Sequence, residues 1–128
     1  FEREIARAQA IVTEVTGWRP TCFRAPAGLR NPFLDAVLRR LDLSLVSWTR
    51  RGFDTRERDA AKVLARLARQ LAAGDILLLH DGNAARTLDG RPVVLEVLPP
   101  LLRQLRDAGL RSVTLPEALR DATSKATR

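Results

Sequence analysis

The sequence predicts an α/β fold of four helix-strand units with parallel strands, and three observations carry that expectation. Short apolar runs suited to strands recur at 21–24, 43–48, 75–80 and 112–115. Each is preceded by a stretch with helical spacing of its apolar residues. The connections are short, and regular alternation of this kind favours parallel strands joined by right-handed crossovers. Four such strands form either a small open sheet or half of a barrel.

The first helix is expected over 2–16, where Ile5, Ala8, Ile11, Val12 and Val15 recur at i, i+3, i+4 spacing between charges. Gly17 supplies a stop. After the strand at 21–24, residues 25–30 form a loop containing Pro and Gly. Asn31 is suited to cap a second helix with Pro32 at its first position, running to Leu41 and burying Phe33, Leu34, Val37, Leu38 and Leu41. The second strand, 43–48, leads into a polar loop at 49–54. Thr55 or Asp54 is placed to cap a third helix over 56–73, ended by Gly74. The third strand follows, then a loop at 81–91 rich in Gly, Asn and Asp. In the fourth helix, 92–108, Pro99 and Pro100 predict a break. Gly109 ends it, 112–115 forms the fourth strand, and Pro116 opens a last helix to Arg120. Residues 1–120 thus read as one domain portion and 121–128 as a polar tail that frays.

Composition removes several function classes. The chain has 128 residues, 45% of them hydrophobic, enough for a core. No apolar run approaches the roughly 18 residues that span a bilayer. The opening Phe1-Glu2-Arg3-Glu4 is charged, shows no signal peptide and lacks an initiator Met, so a fragment or a processed chain is expected and the compartment stays open. Cys22 alone makes neither an internal disulfide nor a thiolate metal cluster. The net charge of +7 raises nucleic acid as a partner. The arginines are interleaved with Asp and Glu along helical stretches, as on solvated faces, and no zinc-finger spacing or aromatic RNA-binding signature is present. No nucleic acid is expected as a partner. Gly-rich phosphate loops after strands are also absent.

In a parallel sheet the chemistry gathers past the carboxyl ends of the strands. Strand one ends in Arg24-Ala25-Pro26-Ala27-Gly28. Strand two ends at Trp48, with Asp54 following. Strand three ends at His80, the only histidine, followed by Asp81 and Gly82. An arginine, a tryptophan, a carboxylate and an imidazole on one rim suit a polar, ring-shaped substrate. Each also has a structural reading: a solvated Arg24, a core Trp48, Asp54 as a helix cap, and Asp81 in a turn before Gly82.

These residues carry a resemblance. Residues 16–28 resemble the third motif of the polysaccharide deacetylases with the NodB-homology domain, carbohydrate esterase family 4, in which an R-x-P-x-G loop ends a strand. Residues 43–54 resemble the fourth motif, with a strand-end Trp and a following Asp. Leu78-Leu79-His80 resembles the fifth, L-x-H, and residues 105–119 resemble the closing helix and strand. The resemblance covers residues 1–120. It implies the C-terminal half of a distorted (β/α) barrel of seven or eight strands, an incomplete barrel in this chain. The implied activity is metal-assisted hydrolysis of N- or O-acetyl groups on a sugar or polysaccharide. By resemblance, His80 is the general acid toward the leaving amine or alcohol. Arg24 orients the catalytic base and Asp54 holds or tunes His80. Trp48 walls the pocket and Leu78 lines it for the acetyl methyl. Pro26, Ala27 and Gly28 form the loop whose backbone N–H at Ala27 helps bind the oxyanion.

The sequence departs from the family where its first two motifs, the base and metal-ligand Asp pair and the H-x-x-H, are absent. Ala27 stands where an aromatic is common. Zinc or another divalent metal is therefore expected in a full-length parent and none on this chain alone. The alternative is a metal-free, non-catalytic relative that binds glycans or another chain. A half barrel also leaves one sheet face, with Phe23, Val46, Leu77 or Leu79, in need of cover. A homo-oligomer, or association with the missing N-terminal half, is expected.

Overall fold

The computed structural model describes residues 1–126, with side chains described to residue 120. In chain order the elements are α1 (Glu2–Thr16), β1 (Cys22–Phe23), a single 3₁₀ turn (Pro26–Gly28), α2 (Leu34–Arg40), β2 (Ser44–Leu45), β3 (Arg50–Arg51), α3 (Ala60–Ala68), β4 (Leu77–Leu78), α4 (Val93–Asp107) and α5 (Leu115–Ala126). The chain forms two compact units, residues 1–47 with the segment from Thr114 onward, and Trp48–Val113.

In the first unit β1 and β2 pair in parallel, Cys22 opposite Ser44 and Phe23 opposite Leu45. The core is Ile5, Ala25, Leu34, Val37, Leu38 and Leu43, with Phe23, Leu41 and Leu45 packed on it. Asn31 does cap a turn here: its Oδ1 accepts from the Phe33 N–H at 2.9 Å. The regular helix starts three residues later, at Leu34. Phe33 was expected to be buried and is 75% exposed, because that opening turn lifts it off the core-facing side. Of the apolar residues of α1 only Ile5 is buried. Ile11, Val12 and Val15 are exposed: the cluster covers the first turns of α1, and its later turns extend past it. Gly17 ends α1 as expected, in the left-handed conformation, with its N–H donating to Thr13.

In the second unit β3 and β4 pair in parallel, Arg50 opposite Leu77 and Arg51 opposite Leu78. Helices α3 and α4 pack on each other through Val63, Leu67, Val93, Val97 and Leu101. Each such side chain contributes about 1.5–3 kcal/mol relative to leaving it in water. Half-buried Leu77 and Leu79 extend this cluster, while Val46 of the first unit is buried. The cap of α3 is neither Thr55 nor Asp54. It is Asp59, which accepts from the N–H groups of Ala61 and Lys62. Residues 54–56 instead form a turn closed on the Phe53 carbonyl, and this delays the helix to Ala60.

The parallel pairing and the α/β class agree with the sequence, and the count of four helix-strand units does not. The expected strand at 112–115 is absent. Two adjacent causes are visible: Ser112–Thr114 finds no strand to pair with among the described residues, and Leu115 with Pro116 opens α5, where a proline's fixed φ and missing N–H suit the first turn. In its place β3 forms inside the expected polar loop. Helix α4 runs unbroken through Pro99 and Pro100. Both prolines fall in the helix interior and remove two N–H donors there, yet Val93, Val94, Val97 and Leu101 hold the buried face together across them. Helix α5 is assigned to Ala126, beyond the Arg120 end expected; of the expected polar tail, residues 127 and 128 lie outside the described residues.

Candidate active site

The segment from Trp48 to Asp54 carries no apolar alternation, yet it enters a sheet, because polar bonds seat it. The Thr49 N–H donates to the Ile76 carbonyl at 2.9 Å, and the Ile76 N–H returns a bond to Thr49 Oγ1 at 2.9 Å. Thr49 Oγ1 also donates to Asp75 Oδ1 at 2.7 Å. Arg50 Nε reaches Asp75 Oδ2 at 2.6 Å, and its other nitrogens donate to the carbonyls of Arg69 and Gln70. Asp75 also accepts from the Ala72 N–H at 2.9 Å. With the Thr49 hydroxyl, this backbone N–H and the Arg50 guanidinium all favouring its ionised form, the Asp75 carboxyl is held down at about 2.

Past β3 the chain makes a close approach. A Cβ on Gly52 would stand 2.6 Å from Val63 Cγ1 and 3.3 Å from Leu67 Cδ1, so only glycine lets this loop lie on α3. Phe53 follows at φ 60°, a left-handed conformation that costs a non-glycine residue about 1–2 kcal/mol. Its carbonyl receives the N–H groups of Arg56 and Glu57, both at 2.9 Å. Arg66 braces the same turn, donating to the Gly52 carbonyl and pairing with Glu57 at 3.1 Å.

This bend turns Asp54 inward. Its side chain is 1% exposed, and it accepts two bonds from one residue. Oδ2 takes the His80 backbone N–H at 2.7 Å, and Oδ1 lies 3.0 Å from His80 Nδ1. A carboxylate only accepts, so Nδ1 carries the hydrogen and the tautomer is set. The imidazole is 38% exposed, which leaves Nε2 as the nitrogen that can serve a substrate. The Asp54 carbonyl meanwhile receives the Ala85 N–H at 2.7 Å, tying the 81–91 loop to the same turn. A buried carboxylate, a fixed tautomer and a second nitrogen with no hydrogen-bond partner among the described residues together make a group that gives or takes a proton at one defined atom.

The other expected site residues fall as follows. Leu78 lies on β4, half-buried, opposite Arg51. Trp48 is half-buried, with the Arg51 guanidinium 5.8 Å from its ring centre, so it is no simple core filler. Asp81 takes the turn reading, its Oδ1 accepting from the Gly82 N–H at 2.7 Å. Arg24, Pro26, Ala27 and Gly28 belong to the other unit. Arg24 is exposed just after β1. Pro26–Gly28 is a tight turn in which Ala27 has φ 53° and Gly28 φ 75°, and Ala27 is exposed. Among the described residues no three of His, Cys, Asp and Glu are grouped as a metal ion needs. The residues present therefore do not fit the metal implied by the resemblance.

Sequence reading missed Gly52, Phe53, Asp75 and the bracing arginines. The signal was available in part: a glycine between polar residues and an aromatic, two residues before the carboxylate, is the mark of a loop pressed against a helix.

The chain is 26% identical to a family 4 carbohydrate esterase from Streptomyces lividans solved with acetate, with a TM-score of 0.76 over 89% of this chain and 55% of that one. It is 31% identical over 84 residues to a bifunctional xylanase/xylan deacetylase from Cellvibrio japonicus, covering 66% of this chain and 13% of that protein. The chain resembles part of a polysaccharide deacetylase of carbohydrate esterase family 4. The same fold appears in the Bc1960 peptidoglycan N-acetylglucosamine deacetylase, at 22% identity and a TM-score of 0.79 over 91% of this chain and 53% of that one. No family model matches the sequence. The chain thus spans little more than half the length of the solved deacetylases it matches, and a much smaller share of the curated one. No described helix is long and apolar enough to cross a membrane.

Proposed function

We propose that this chain supplies the general-acid half of a metal-dependent deacetylase that hydrolyses N- or O-acetyl groups on a sugar or polysaccharide. The observation that supports it best is the Asp54–His80 pair, a buried carboxylate holding an imidazole at the end of β4 inside an L-x-H run. With Nδ1–H committed to Asp54, His80 hands its proton from Nε2 to the departing amine or alcohol and is left as the neutral Nδ1–H form. In the same reading Leu78 and Trp48 line the acetyl pocket, Arg24 orients the catalytic base, and the Pro26-Ala27-Gly28 turn presents its backbone N–H to the oxyanion. The base and the zinc or other divalent metal are supplied by residues outside this chain. A closed (β/α) barrel, and its completion by a second copy or by the missing half, belong to this reading too. A purely glycan-binding relative is less well supported, since binding alone gives no reason to bury a carboxylate against one nitrogen of an imidazole.

The test is His80→Ala in the full-length protein, assayed on an acetylated oligosaccharide. The kcat is expected to fall by roughly 10²–10⁴, the range for losing a general acid, with bound metal unchanged. Loss of the metal along with activity would sink the role given to His80. Residues 1–128 alone are expected to turn over nothing, with or without added zinc.

A further inference from the structure

The second unit holds a charged group that the chemistry above leaves unused. The Arg51 guanidinium lies 4.1 Å from the Phe53 ring centre and 5.8 Å from that of Trp48. Phe53 reaches that position from its left-handed backbone, and Arg66 flanks the same ring at 5.7 Å. Two nearby arginines are engaged. Arg50 is spent on Asp75 and two carbonyls, and Arg66 on Glu57 and the Gly52 carbonyl. Arg51 is exposed and, among the described residues, has no carboxylate within ion-pair distance. Contact with the ring faces restrains the guanidinium, and among the described residues its N–H donors have no hydrogen-bond partner. Much of the entropy that an arginine loses on taking up an anion has thus been lost already.

Its position relates it to the imidazole. Arg51 stands opposite Leu78, and His80 follows Leu78 by two residues, so the guanidinium belongs to the strand pair that leads into the imidazole. Resting on the deacetylase reading, we propose that Arg51, seated on Phe53 and Trp48, binds a carboxylate carried by the glycan substrate within about one sugar ring of the acetyl group. The favoured substrates are then uronate-containing or otherwise carboxylated polysaccharides. A planar guanidinium fork matches a planar carboxylate in a bidentate pair, and a phosphate is the alternative that the titration separates. The two aromatic faces suit the apolar faces of the sugar ring that bears it.

The experiment is a binding titration of the protein by calorimetry or NMR. The probes are a tetrasaccharide alternating N-acetylglucosamine with glucuronate, the neutral N-acetylglucosamine tetrasaccharide, and the neutral one carrying a phosphate monoester. The acidic glycan is expected to bind about five- to tenfold tighter than the neutral one, with the advantage shrinking as salt is raised. Arg51→Gln should abolish that advantage and leave neutral binding within twofold; Arg51→Lys, which keeps the charge and loses the fork, should restore only part of it. Equal binding of acidic and neutral glycans, or an advantage that survives Arg51→Gln, would overturn the proposal while leaving the role of His80 intact. Tighter binding of the phosphorylated probe, or binding of none of the three, would overturn it as well. The activity loss in His80→Ala is read separately, so the two readings fail independently.

Discussion

The loop after β1 and the segment that carries β3 both hold expected site residues, and they are secured by different means. In the first, the Gly28 N–H returns to the Ala25 carbonyl and the Leu29 N–H to the Pro26 carbonyl, bonds that span three residues. In the second, Thr49 and Arg50 bind Asp75 and Asp54 binds His80, across 25 or 26 residues of chain. A local turn is set by its own Pro and Gly. A long-range clamp depends on a partner that must be delivered by α3 and β4. The first loop should therefore tolerate change, and the second should be sensitive to the loss of any one of its supports.

The strongest test of that contrast is Asp54→Asn. Asparagine keeps the shape and can still accept the His80 N–H, but an amide facing Nδ1 no longer demands the Nδ1–H form. In the full-length protein the proposed general acid is then held in the wrong tautomer. The expected result is loss of most of the factor of about 10²–10⁴ that such a group supplies, with little change in melting temperature. Activity within threefold of the parent would show that the clamp does not serve catalysis.

Next in size is Gly52→Ala. The added methyl meets Val63 and Leu67 at overlapping distances, and both are fully buried between α3 and α4. Overpacking of this kind costs about 1–3 kcal/mol. Chemical denaturation should show a lower midpoint, and the Asp54–His80 geometry should loosen with it, because Gly52 lies two residues before Asp54. An unchanged midpoint would mean that the loop is not pressed on α3.

Acid gives a third test. Asp75 has its carboxyl held at about 2, below the ordinary value near 3.9, chiefly by the Thr49 hydroxyl and also by the Ala72 N–H and Arg50. A group whose folded value is depressed contributes stability above its unfolded value, and that contribution is lost as pH falls through the folded one. The second unit should thus lose stability progressively from about pH 4 toward pH 2. Thr49→Val should flatten the dependence, measured as the denaturation midpoint against pH. A slope identical in both proteins would remove Asp75 from its central place in the clamp.

The same contrast explains what could be read in the sequence. The parallel α/β class, α1, the unit-two core helices and the pairing of a carboxylate with His80 all follow from local pattern or from motif residues. The β3 strand did not, because Thr49-Arg50-Arg51 has no strand alternation and owes its register to Asp75, which the sequence displays only as part of a Gly-Asp turn. The strand expected at 112–115 had the right composition, but its formation depends on a neighbour that composition does not reveal. Prolines 99 and 100 predicted a break by a sound local rule, which burial of Val93, Val97 and Leu101 overrode.

The smallest effect is expected in the first loop. Ala27 sits at φ 53° and ψ 11°, where an L-residue with a Cβ is strained by about 1–2 kcal/mol and glycine is not. Glycine in turn gives up roughly 0.5–1 kcal/mol more backbone entropy on folding. The two terms nearly offset each other, with the balance on the side of relief. Ala27→Gly should therefore raise stability slightly, by under about 1 kcal/mol, and leave the backbone turn from Ala25 to Leu29 in place. The measurement is the denaturation midpoint of the variant against the parent. A clear loss of stability would mean that the Ala27 methyl makes a contact worth more than the strain. The loop would then be anchored through its side chains as the Asp54 segment is, and the distinction between the two regions would no longer hold.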